Sequence, residues 1–434
     1  MHSTKFSFRY RAAQKIRRTY WTLFARVREN IPYYILQFIF ASILNDAMRL
    51  IPKRRELLKE DKKSGNVLVI YSKRHYDPHR ASKEGERHYS ASNLARNIFM
   101  IAEEIAASRG GKAYYVDQSE PYQYFGKLDI VIGTASKSFL SYAQKHKEAR
   151  TFLFLVNSHP LWRLKTLIKE SLSLKKTFAF SEYMSPHLFP RLERAANEII
   201  LIGNEFVRTT FVEYGIKKER IHLINSGVNT EILVPKPELR PPDTFRVLYT
   251  ASDLGIRKGL FRVLNVWDII EKKGIDAELV IAGGALKFKR DVDDFVTKHA
   301  RASYRGWIDS HTEEYRQLLQ SSHCIINPSL EEGQVGCVLE AMSCGAVPVI
   351  TRNCGVDISN AKEGYLIEYA DETGMADRIQ QLMENSESYN QMSQKTLTYI
   401  STHHTWDTFR KIMRGLLTSS EPQRANQNTK VPGI

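Results

Sequence analysis

Short apolar runs of four to six residues recur along the chain, separated by stretches in which apolar residues return with helical spacing. In the first half such runs fall at 66–71, 113–116, 128–132, 151–156, 176–180, 198–202 and 221–224, and residues 92–108 carry a helical pattern stopped by Gly110 and Gly111. Pro235, Pro237, Pro241 and Pro242 then interrupt the pattern, because each fixes its own torsion and disfavours helix in the residue before it. The alternation restarts with strands at 245–249, 278–282, 324–328 and 346–350 and with helices at 261–271, 338–343 and 405–417. Buried strands that alternate with helices predict an α/β fold of two doubly wound parallel sheets, each covered on both faces, around a central cleft. The predicted divisions are an N-terminal extension over 1–64, one half over 65–237, a second over 238–400, a last amphipathic helix within 401–418 and a disordered tail over 419–434.

Composition supports two cores. At 434 residues the chain exceeds the size at which a single core keeps growing, and its 42% hydrophobic and 26% charged residues suit a globular enzyme. No apolar run reaches the length of about 20 residues needed to span a bilayer, so a cytoplasmic protein is expected. The net charge of +15 is concentrated at the start, where the first 55 residues hold twelve basic and two acidic side chains. Between the basic blocks, residues 31–44 are apolar and aromatic; they read either as a helix lying on an anionic membrane surface or as a segment packed on the first half. No nucleic-acid module accompanies the charge, which argues against a nucleic-acid partner. Cys324, Cys337, Cys344 and Cys354 have no paired metal spacing and read as reduced packing residues.

The candidate chemistry lies in residues 324–351. Here a short strand leads to Glu331, Glu332, Gly333, Gln334, Val335 and Gly336, then to Cys337, Val338 and a helix that carries Glu340. A strand, a glycine-bearing turn and a helix N-terminus form an anion site, since the first-turn N–H groups have no partner in the helix. Carboxylates beside such a site would be repelled by a diphosphate unless they accept hydrogen bonds from neutral hydroxyls. Glu332 and Glu340 therefore imply a ligand with a diphosphate between two polyols, the make-up of a nucleotide sugar. Upstream, Arg257 and Lys258 end the loop after the 245–249 strand and could stabilise charge on a departing diphosphate without a metal. His159 follows a strand of the first half and could donate a hydrogen bond to a sugar hydroxyl or orient an acceptor. His75, His79, Arg80, Lys83, Arg87 and His88 crowd the loop after the first strand; they read as a basic lip for an anionic acceptor or as a solvated loop, and Pro78 between the first two histidines argues against a metal.

The run from Glu332 to Glu340 resembles the Glu-(seven residues)-Glu signature of retaining GT-B glycosyltransferases, family 4 in particular. The resemblance covers roughly residues 66–417. It implies two Rossmann-like domains facing a cleft, an acceptor domain first and a donor domain second, with the last helix crossing back to the first. Glu340 would hold the ribose, Glu332 the transferred sugar, and the backbone from Gly333 through Gln334, Val335, Gly336 and Cys337 to Val338 the sugar and diphosphate. Lys258 would hold the diphosphate, His159 would face the donor sugar, and Trp307 would line the base pocket, or else sit in the core. Two departures stand out. The family's Glu-Gly-Phe-Gly is Glu-Gly-Gln-Val-Gly here, and Asp253 occupies the place of an arginine for which Arg257 would substitute. The implied activity is metal-independent, cofactor-free transfer of a hexose from a nucleotide sugar to a glycan or lipid-linked acceptor in envelope polysaccharide or glycolipid synthesis, at the inner face of the membrane if the extension binds there. A non-catalytic GT-B-like protein that binds glycan or membrane is the alternative.

Overall fold

The computed structural model describes residues 64–73, 90–176, 188–240, 243–285 and 287–419. The N-terminal extension, the basic loop after the first strand, most of the 176–180 run, Pro241, Pro242 and the tail lie outside the described residues. Two parallel six-stranded sheets organise the rest.

In the first sheet the order is β2-β1-β3-β4-β5-β6, with β1 Val67–Tyr71, β2 Ala113–Asp117, β3 Ile130–Thr134, β4 Arg150–Leu155, β5 Glu198–Ile202 and β6 Ile221–Ile224. β4 pairs directly with β5, and Lys176, the one described residue of the 176–180 run, belongs to no element. The interleaved helices are α1 Ser90–Ser108, α2 Lys137–Lys145, α3 Pro160–Ser173, α4 Phe189–Ala195 and α5 Glu205–Val212. β1 is buried along its whole length, as a parallel strand covered on both faces must be.

The second sheet has the order β12-β11-β10-β7-β8-β9, from β7 Phe245–Asp253, β8 Ala277–Gly284, β9 Ala302–Tyr304, β10 Cys324–Asn327, β11 Val347–Thr351 and β12 Tyr365–Ile367. The helices here are α6 Leu260–Lys272, α7 Lys289–Lys298, α8 Glu313–Gln320, α9 Gly336–Ser343, α10 Glu372–Glu384 and α11 Ser386–His403. β9 and β12, three residues each, are too short to stand out as apolar runs. Chain order reverses between β7 and β10, which lie side by side with Cys324 opposite Val247. Loops leaving two such neighbours diverge in opposite directions and open a crevice at their carboxyl ends.

The last helix, α12 Trp406–Thr418, begins at a capping Thr405 and buries Phe409, Met413 and Leu417 among residues of β1, α1 and β4. Arg410 donates to Asn97 at 2.6 Å, and Arg150 donates to the carbonyl of Leu417. The last described helix therefore packs on the sheet that holds the first described strand. Phe409→Ala should destabilise the protein by about 3–5 kcal/mol, because the void lies in a close-packed core; denaturant unfolding would measure it, and a loss under about 1 kcal/mol would show that the helix end contributes little there.

Candidate functional site

The site sits at the reversal point. After β7, Gly259 adopts φ 76° to start α6, and a Cβ there would lie 2.2 Å from the carbonyl oxygen of Pro328, so only glycine lets this loop pack against the end of β10. The Leu330 N–H donates to the Arg257 carbonyl at 2.8 Å, and the buried Tyr249 hydroxyl donates to the Lys258 carbonyl at 3.0 Å. With their backbone pinned, both cations reach the other loop. Lys258 Nζ lies 2.6 Å from Glu332 Oε1, and the Arg257 guanidinium pairs with the same carboxylate oxygen. Burial, with Arg257 alongside, pushes the Lys258 ammonium down to about 7. Glu331 is among the groups that work against this shift.

Between Glu332 and α9 the turn is clasped from below. The N–H groups of Glu332 and Val335 donate to the carbonyls of Asn353 and Cys354 at 2.9 and 3.1 Å. Val338 N–H returns to the Val335 carbonyl, while the N–H groups of Gly336 and Cys337 have no backbone acceptor among the described residues. Those two groups open α9, where its partial positive charge is greatest. One turn further, Glu340 is buried and its Oε2 accepts from the Tyr315 hydroxyl at 2.7 Å, leaving Oε1 as its other acceptor. Burial raises its pKa; the Tyr315 hydrogen bond and nearby His311 oppose that. Trp307, 63% exposed, lies in the loop after β9 and is not a core residue.

The first sheet supplies the facing wall. Gly333 packs so closely on it that a Cβ would stand 2.2 Å from the Val156 oxygen and 2.7 Å from the Ile202 oxygen, at the ends of β4 and β5. The Gln334 side chain is occupied on this side: its Oε1 accepts from Ser226 N–H and its Nε2 donates to Asn225 Oδ1, both at 2.7 Å. His159 is buried among aromatic rings. Its ring is 5% exposed, stacked on Tyr214 at 4.3 Å and edge-on to Phe189 and Phe211, with Nδ1 accepting from Leu161 N–H as the cap of α3. Burial depresses its pKa to about 4. Through Nδ1 the ring serves as a structural cap inside an aromatic cage.

Glu331 was not singled out by its sequence. It is fully buried, accepts from Ser158 Oγ at 2.5 Å and pairs with Arg163 Nε at 2.7 Å, both from the first sheet's side. The signal was available: a second acid in a run where Ser329, Leu330 and Gly333 are small or apolar must have a buried partner. The four cysteines are free; three are buried and Cys337 is half-buried, with its thiol donating to the Thr250 carbonyl.

Comparison with known proteins places the second half. Residues 244–385 match the family described as glycosyl transferases group 1. An uncharacterized glycosyltransferase of Haemophilus influenzae is 28% identical over 222 residues, 48% of this chain and 60% of that one. The chain spans between 33% and 60% of the length of the curated relatives it matches. Sucrose-phosphate synthase from Thermosynechococcus elongatus superposes with a TM-score of 0.61 at 15% identity, over 81% of this chain and 98% of that one. The Anabaena protein HepE, solved with UDP-glucose, superposes with a TM-score of 0.57 at 13% identity, over 81% and 99%. At these identities the two likenesses show the fold.

Proposed function

We propose, from the premise that residues 244–385 are a group 1 glycosyltransferase domain within a GT-B fold, that this chain is a retaining glycosyltransferase. On this reading it moves a hexose from a nucleotide sugar to a glycan or lipid-linked acceptor in envelope polysaccharide or glycolipid synthesis. The observation that carries the proposal is the meeting of Lys258 and Arg257 with Glu332 at the reversal point of the second sheet, beside the opening of α9.

The chemistry follows from placement. The diphosphate takes the two cations and the N–H groups of Gly336 and Cys337, and Glu340 accepts from the ribose hydroxyls. Glu332 gives up the two cations to the diphosphate and accepts from a hydroxyl of the sugar. With Glu332 engaged by that hydroxyl and Glu340 by the ribose, neither carboxylate of the motif is assigned as a nucleophile, so the reaction is written without a glycosyl-enzyme. The bond from the anomeric carbon to the diphosphate oxygen breaks, the acceptor oxygen bonds to that carbon on the same face, and its proton passes to a leaving-group oxygen. Lys258 and Arg257 stabilise the charge that develops there, the part a divalent metal would otherwise take. Transfer should persist in a chelator. Support for the donor class comes also from HepE, whose structure contains UDP-glucose. Among the described residues no helix is long and apolar enough to cross a membrane; the membrane-associated acceptor rests on the basic composition of residues 1–55.

NMR of the product tests the stereochemistry: an inverted anomeric centre would overturn retention. A pH series tests the cation. With Lys258 depressed to about 7, the protein without donor loses a proton as pH rises through that value. A bound diphosphate favours the protonated form, so binding takes up a proton on the alkaline side. Donor affinity should therefore weaken as pH rises above 7, approaching tenfold per unit as a limit of order one proton. In Lys258→Arg the slope should vanish, because guanidinium stays charged. An equal slope in both proteins would remove Lys258 as its source.

A further inference from the structure

We propose that Glu331 is a positioning residue: it clamps the two sheets' loops together, and the clamp keeps its carboxylate away from Arg257. The inference rests on the reading of Arg257 as a diphosphate ligand. Its geometry, however, is independent of that reading.

Glu331 is 0% exposed, so its carboxylate must find compensation within the protein. That compensation comes from across the cleft. Ser158 donates from the loop after β4, and Arg163, itself 11% exposed at the side chain, reaches from the first turns of α3. Both donors are positioned by the first sheet, whereas Glu331 follows the strand β10 of the second. On its own side the nearest cation is Arg257, whose Nη1 stands 3.9 Å from Glu331 Oε1 while pairing closely with Glu332. Glu331 thus stands between an arginine of each half and is committed to the one opposite.

Separation of the halves would remove Ser158 and Arg163 together and leave Arg257 as the nearest counter-charge. Glu331 and Glu332 would then compete for one guanidinium that the diphosphate must use. Closure resolves the competition by giving Glu331 its own arginine. Two further contacts belong to the same closed arrangement: Gly333 against the Val156 and Ile202 oxygens, and Asn204 Nδ2 donating to the Arg352 carbonyl at 3.0 Å. A sequence that ends the acceptor-side clamp in arginine and the donor-side loop in two successive acids therefore couples the position of one half to the charge available in the other.

The two ends of this ion pair have unequal effects when removed, which a purely structural pair would not show. In Arg163→Met, Glu331 turns to Arg257, and affinity for the nucleoside diphosphate should weaken by about tenfold, the order expected for a mis-set charge contact. In Glu331→Gln no charge competes, so affinity should stay within about threefold of the parent, and the double variant should recover the parent's affinity, a large non-additivity. The full chain would be titrated calorimetrically with UDP, GDP and ADP, with unfolding temperatures recorded for each variant. Small-angle scattering without ligand should show a larger radius of gyration in both single variants. Equal weakening in the two variants, or no recovery in the double variant, would overturn the proposal, as would unchanged dimensions by scattering. A parent chain that binds none of the three nucleotides would instead defeat the functional reading, and scattering alone would then decide the clamp.

Discussion

Lys258→Ala is expected to lower kcat by about 10²–10³-fold or more while the protein still folds, the loss typical of removing a preorganised group from developing charge. The argument is geometric. The Lys258 backbone is fixed by Tyr249 and by the glycine that follows, so the ammonium reaches its position without searching. Its side chain is only 12% exposed, and in that setting a cation acts on nearby charge far more strongly than it would in water. Ground-state binding should suffer less than turnover, because charge on the leaving oxygens grows towards the transition state. Glu332 keeps Arg257 as its partner when the ammonium is removed, so no buried charge is left unpaired and unfolding measurements should show no comparable loss of stability. Turnover within a few-fold of the parent would exclude Lys258 from the chemistry.

Gly333→Ala should be nearly as damaging, by a different route. The added methyl would point at two backbone oxygens, 2.2 and 2.7 Å away, and neither is the end of a flexible side chain. Room is made only by moving the turn off the first sheet, and overpacking of this kind costs about 1–3 kcal/mol where it cannot relax. Here it can relax by opening the cleft, so the expected signature is a modest loss of stability with a fall in kcat of about 10²-fold, the effect of misplacing reacting groups by an ångström. Kinetics and scattering on the same preparation would check it. A variant that kept both the parent's dimensions and its turnover would show that the close approach at Gly333 is not needed for catalysis.

These residues also show how far the sequence could be read. The doubly wound halves were legible because buried parallel strands leave continuous apolar runs, and 324–351 was legible because two acids beside a glycine turn have few uses. Boundaries moved for local reasons: β7 continues to Asp253 through a polar stretch because Gly284 of β8 offers it a partner. What was not legible depended on the other half. His159 looks like a loop histidine until Phe189, Phe211 and Tyr214 close around it from segments 30 to 55 positions away. Gln334 looks like a departure at a sugar-facing position until Asn225 and Ser226 bind its amide, which accounts for a polar residue there. Glu331 announced a buried partner, but that the partner is Arg163 was not legible, because no periodicity connects positions so far apart.

The central claim is that Glu340, Glu332, Lys258 and Arg257 surround a nucleotide sugar, and its most direct test is calorimetric titration of the full chain with UDP-, GDP- and ADP-sugars, with Glu340→Ala as control. The account predicts that one nucleotide series binds and that Glu340→Ala loses most of that affinity, since Glu340 is the buried carboxylate carried on α9 itself, where it would accept from the ribose. Binding that survives unchanged in Glu340→Ala, or no binding across the panel by a folded chain, would contradict it.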